Sequence, residues 1–161
     1  MLHGHGLRSR EQRGPLEPGG LPVSVEILCR RFRCLRCAAV VLVAPRGVLS
    51  RRLYSASAIA LALALWAVGG VGEAVVRQQT SPWRPFRRNE QGAEDHWPSL
   101  WRWSRALTEG RLFGPAAASR AASTLRGTAA RVVSWLAGHA PPGVREQGLP
   151  AQAYVGAAQL S

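Results

Sequence analysis

The sequence predicts a mostly α protein: a single transmembrane helix followed by a short Arg/Trp/Ala-rich helical hairpin, with disordered termini. Three observations predict it. Residues 53–72 form an uninterrupted uncharged run between Arg52 and Glu73. Beyond it, apolar residues recur at helical spacing over 98–109 and 116–138. At both ends the chain is rich in Gly, Pro and polar residues without a sustained period.

Composition bounds the size of any core. Hydrophobic residues make 47% of the 161 positions, but many are Ala, and there are only three Phe and two Tyr. With 17 Gly and 11 Pro, no sizeable single core is expected. The net charge is +12, and all 21 basic residues are Arg. Neither charge nor helix propensity demands Arg over Lys in that way. A GC-rich coding region produces it, together with the abundance of Ala, Gly, Pro and Trp. The same composition fits a young or non-functional reading frame.

The charge is divided along the chain. Residues 1–52 hold ten Arg against Glu11, Glu17 and Glu26, a net of +7, and residues 73–161 hold eleven Arg against six acids, a net of +5. Such an excess suits nucleic acid or an anionic membrane surface. The three cysteines, Cys29, Cys34 and Cys37, precede the apolar run and cannot pair off internally. Cys34-Leu-Arg-Cys37 has zinc-like spacing, but no second pair of ligands accompanies it. No metal and no cofactor is expected, and the thiols read as incidental.

The elements follow in chain order. Residues 1–54 are a basic N-terminal segment. Within it, 27–54 carry seven Arg and no acid, and Leu28, Phe32, Leu35, Ala39 and Leu42 share one face of a helix. A helix over 53–72 is ~30 Å long, the thickness of the hydrocarbon core. It is only moderately hydrophobic, since six Ala and three Gly dilute four Leu, two Val and one Ile. Residues 73–97 read as a polar, Pro-containing linker. The helical tail spans 98–138. Asp95 is suited to cap its first helix, Pro98 to open it and Gly110 to close it. Residues 139–161 are Pro-Gly-Ala-Gln-rich and are expected to be disordered.

At the head of the apolar run stands Arg52-Leu53-Tyr54-Ser55. It resembles the cleavage region of mitochondrial presequences, with Arg three residues before the new N-terminus, an aromatic one before it and Ser at it. The preceding segment is Arg-rich and acid-free, as transit peptides are. The resemblance implies import, cleavage near Ser55 and a mature chain that opens with its span, residues 55–72. It implies the mitochondrial inner membrane as the address, with an uncleaved signal-anchor in the endomembranes second. Ala56, Ala60 and Ala64 recur every four residues and can seat a partner helix in the membrane.

Trp97, Trp101 and Trp103 share a face with Leu100 and Leu107. They are expected either at a membrane interface or packed on the stripe of the following helix. The expected partners are membrane lipid and another membrane protein. Nucleic acid ranks below them, although Arg30-Arg31-Phe32-Arg33 with Arg36 is an arginine-rich run of the kind that binds phosphate. An enzyme is not expected: there is no HExxH, GxSxG or phosphate loop, and His96 lacks a nucleophile to serve. The function expected from the sequence is therefore a non-enzymatic, single-pass membrane component for assembly, accessory support or membrane shaping. The alternatives are an unselected frame and an arginine-rich nucleic-acid-binding protein.

Overall fold

A computed structural model describes residues 1–83 and 96–160. The described residues form a three-stranded antiparallel sheet followed by six α-helices. The strands are β1 (Leu2–Pro15), β2 (Pro22–Cys34) and β3 (Val40–Val43). The helices are α1 (Ala56–Ala67), α2 (Glu73–Thr80), α3 (Pro98–Thr108), α4 (Pro115–Ala118), α5 (Leu125–Ala137) and α6 (Leu149–Gln159). Residues 84–95 of the expected linker, and the Asp95 cap, lie outside the described residues.

The first correction concerns the N-terminal segment, expected to be disordered and then helical. It is a hairpin instead. Val23, Val25, Ile27 and Cys29 alternate with Ser24, Glu26 and Leu28, and the first set is the less exposed. Alternation of β-branched residues is a strand signal. It overrides the looser helical period through Leu28, Phe32 and Leu35. The link between the strands is a turn closed by the Gly20 amide donating to the Glu17 carbonyl at 3.1 Å. Pro18 stands at its second position, and Gly19, at φ +80°, at its third. That is the residue pair a type II turn requires. Pairing then runs from Pro15 opposite Pro22 to Leu2 opposite Cys34, with a register shift between Gly4 and Leu7. β3 adds to β2, with Val43 opposite Arg30 and Val40 opposite Arg33.

The second correction concerns the span. Among the described residues, no helix is long and apolar enough to cross a membrane. The apolar run yields only the twelve residues of α1, about 18 Å of helix. Ser55 caps its start, accepting from the Ala58 amide at 3.0 Å. Gly69 and Gly70 end it, the latter at φ +67°, while the amides of Gly69 and Val71 return to the carbonyls of Ala64 and Leu65. The single-pass transmembrane reading, and the membrane address built on it, are therefore overturned. A core is present where none of size was expected. α1 is the centre of the core, covered by Leu100, Trp103 and Leu107 of α3, Val132, Val133 and Leu136 of α5, and Ala153 and Ala157 of α6.

The third correction concerns the tail. The helix expected over 116–138 is broken into α4 and α5, with Ser119–Thr124 between them. Thr124 opens α5 by accepting from the Gly127 amide at 3.0 Å, a competing local bond that interrupts a continuous helix. The C-terminal segment expected to be disordered contains α6. Its Pro150 stands in the first turn, where Pro is tolerated. Gly156 lets α6 approach α5 so closely that a Cβ there would overlap the Leu136 carbonyl. The Tyr154 hydroxyl donates to the Pro15 carbonyl at 2.8 Å, which ties the last helix to the first strand.

Candidate anion-binding site

The site is built on α3. This helix is amphipathic: Leu100, Trp103, Ser104, Ala106 and Leu107 are buried, while Trp101, Arg102 and Arg105 are exposed. Arg105 lies one helical turn on from both Trp101 and Arg102, so the three share the outward side of the helix. After α3, Gly110 takes φ +67°, and the Arg111 amide folds back onto the Ala106 carbonyl at 2.9 Å. That return brings Arg111 alongside the stripe. From the opposite side comes Arg52, in the segment that links β3 to α1.

Arg52 is held there by the backbone. The Arg13 amide donates to the Leu53 carbonyl at 2.7 Å, and the Ser55 amide donates to the Arg13 carbonyl at 3.2 Å. The Arg10 guanidinium donates to the carbonyls of Leu49, at 2.7 Å, and of Arg52. Together Arg52, His96, Pro98, Trp101, Arg102, Arg105 and Arg111 enclose a cavity of about 380 Å³.

Close in the chain to the lining residues Arg52 and Pro98 is an aromatic cluster. Tyr54, Trp97 and Trp103 meet edge to face, with ring centroids 5.1 to 6.0 Å apart. The Tyr54 hydroxyl donates to Ser81 Oγ at 2.8 Å. Glu73, at the start of α2, orients the rim. It accepts from the Trp97 amide at 2.5 Å and from Trp101 Nε1 at 3.0 Å, and it lies 3.3 Å from His96 Nδ1. Trp101 also packs edge-on against Trp66 at 5.8 Å. Its ring is thus fixed in position yet 41% exposed.

Among the described residues the lining of the cavity carries a positive balance. Arg111 pairs with Glu109. Among the described residues, Arg52, Arg102 and Arg105 form no ion pair. Guanidinium groups offer several planar donors each, and an aromatic face beside them can stack a planar ligand. The chemistry available is therefore recognition of an anionic group next to a flat ring. Among the described residues no group of His, Cys, Asp and Glu is placed to hold a metal ion.

The residues singled out from the sequence divide between this site and the core. Arg52 and Trp101 line the cavity. Tyr54, Trp97 and Trp103 form the neighbouring aromatic cluster outside the cavity's lining, the two tryptophans being buried. Ser55 is the buried cap of α1, and Ala56, Ala60 and Ala64 are fully buried among the helices of this chain. Arg102 and Arg105 stand on the exposed face of α3, and neither Arg111 nor Glu73 is a candidate from the sequence. Arg111 joins the site only through the reversal at Gly110, a signal legible solely as a helix stop. No protein-family model, curated protein or solved structure matches the chain.

Proposed function

We propose that the protein binds single-stranded nucleic acid, with the cavity on α3 as the seat of one nucleotide. The observation that carries this reading is the exposed, fixed ring of Trp101 set among Arg52, Arg102, Arg105 and Arg111. A base stacks on the indole while its phosphates meet the guanidinium groups, the arrangement that sequence-tolerant single-strand binders use. The net charge of +12 supplies long-range attraction. The test is fluorescence anisotropy with a short labelled single-stranded RNA over a series of salt concentrations. The affinity should fall linearly on a log–log plot. The double variant Arg102→Gln/Arg105→Gln should lower the slope by about 0.7 for each arginine removed, the value for a single strand. Binding that ignores salt, or a double variant that binds as well as the parent with an unchanged slope, would refute the reading.

A second reading rests on composition: every one of the 21 basic residues is Arg and Met occurs once, as nucleotide bias in an unselected frame produces. Peptides of this chain recovered from cells carrying the gene, together with a protease-resistant core, would sink that reading.

A further inference from the structure

The turn between β2 and β3 holds two of the three cysteines. The Cys34 amide donates to the Ala39 carbonyl at 2.8 Å, and the Ala38 amide donates to the Cys34 carbonyl at 2.9 Å. Ala38 closes the loop with φ +58°. The backbone bonds of this tight turn bring Cys37, three positions on, back toward Cys34. Cα atoms three positions apart across such a turn lie within about 7 Å, the range in which a disulfide can close. Cys34 is partly exposed and Cys37 exposed, whereas Cys29 is fully buried in the hairpin.

The surroundings are cationic. Arg30, Arg31, Arg33 and Arg36 crowd the end of β2 and its turn, and no acidic residue occurs between Glu26 and Glu73. A cleft of about 330 Å³ opens beside Cys34, lined by His3, His5, Arg33, Cys34, Leu35 and Ala38. We propose that Cys34 and Cys37 are a reversible dithiol–disulfide pair in which Cys34 attacks a small anionic disulfide received in the His3–His5–Arg33 cleft.

The chemistry balances. The Cys34 thiolate attacks one sulfur of the incoming disulfide, forming a mixed disulfide and expelling one thiolate, which takes up a proton. Cys37 then loses its proton and attacks the Cys34 sulfur, which forms the Cys34–Cys37 bond and releases the second small thiol. The protein loses two electrons and two protons, and the small disulfide gains both to become two thiols. The backbone amide of Cys37 first, then that of Arg36 and the Cys37 side chain, holds the Cys34 thiol below the ordinary range. That raises the share of attacking thiolate at neutral pH.

The test treats the reduced full chain with glutathione disulfide, then with an alkylating agent, and maps the products by mass spectrometry. Trypsin cuts after Arg33 and Arg36, so each thiol lies on its own peptide. The expected product is a Cys34–Cys37 disulfide with Cys29 alkylated only after unfolding. Cys37→Ser should accumulate glutathione on Cys34. Cys34→Ser should leave Cys37 reacting about tenfold more slowly than Cys34 does. Glutathione disulfide should outpace the cationic disulfide cystamine by about tenfold at low salt. The wild-type chain in urea is the reference: the preference for Cys34 should vanish there. Equal reactivity of Cys34 and Cys37 in the folded chain, or a preference for Cys34 that persists in urea, would overturn the proposal. So would cystamine reacting as fast as glutathione disulfide.

Discussion

Gly156→Ala tests the closest approach in the helical core. In an isolated helix this substitution is favourable by about 1 kcal/mol, because Ala is the better helix former. Here the new Cβ would overlap the Leu136 carbonyl oxygen and stand 2.8 Å from its carbon and 3.2 Å from the Ala140 amide nitrogen. Those are backbone atoms of α5 and of the turn that follows it, so no side chain can swing away. α6 must move off α5, loosening contacts around Ala153 and Ala157, both fully buried. Overpacking of this kind costs about 1–3 kcal/mol, and contact with backbone puts it at the upper end. After the gain in propensity, the net loss is about 1–2 kcal/mol. For a chain of this size that is a fall in Tm of roughly 2–8 °C, readable by circular dichroism at 222 nm or by the urea midpoint. Gly143→Ala is the matched control, since a Cβ there meets nothing within 4 Å. It should stay within about 0.5 kcal/mol of the parent. A Gly156→Ala protein that melts at or above the parent would refute the packing of α6 on α5.

Three further outcomes are expected. Tyr154→Phe removes the bond to the Pro15 carbonyl and should cost about 1 kcal/mol in urea unfolding. Burial, with the charge of Glu17 second, pushes the Tyr154 hydroxyl above its ordinary value of 10.0. The unfolded chain therefore loses that proton first, stability is complete below pH 10 and falls as the pH rises past it, and the Phe variant should show a flatter alkaline limb. At the acid end, Arg13, then Ser24, holds the Glu11 carboxyl below its ordinary 4.5. Its contribution is present above that value and is lost as the pH falls through the lower folded one, so Glu11→Gln should flatten the acid limb of a stability–pH titration. Ser55→Ala removes the cap of α1 and should cost about 1 kcal/mol, visible as a lower urea midpoint with an unchanged slope.

The local punctuation of the helices is written in the sequence. Pro98 and Gly110 bracket α3, and Trp103 with Leu107 marks its buried face. The identity of the apolar run is not. Ser55 and Gly69-Gly70 limit it to twelve helical residues, and those capping signals outweigh the continuity of the uncharged stretch. Whether such a helix meets lipid or protein depends on how much apolar surface distant segments bring to it. Val132 and Leu136 lie at helical spacing in the sequence, but Ala153, Gly156 and Ala157 cover α1 and α5 by their smallness, which hydropathy undervalues. The hairpin was hidden for a different reason. Two periods coexist in residues 23–35, and only the Pro18-Gly19 turn decides between them, by presenting β1 as a partner to Val23 and Val25.

The cavity shows the same division. Arg102 and Arg105 are read at once as an exposed face, because their spacing is local. Arg52 and Arg111 enter through long-range or reversed backbone: the bonds from Arg10 and Arg13 fix the first, and the turn at Gly110 returns the second. Glu73 is the decisive case. In the chain it is merely the charge that ends an apolar run. In the fold it sits at the first turn of α2, where the helix dipole favours a carboxylate. From there it orients Trp97 and Trp101, and among the described residues the arginines lining the cavity pair with no carboxylate, apart from Arg111 with Glu109. Glu73 is one of only nine acidic residues in the chain, and its bonds from the Trp97 amide and the Trp101 indole direct its carboxylate to the rim rather than to an arginine.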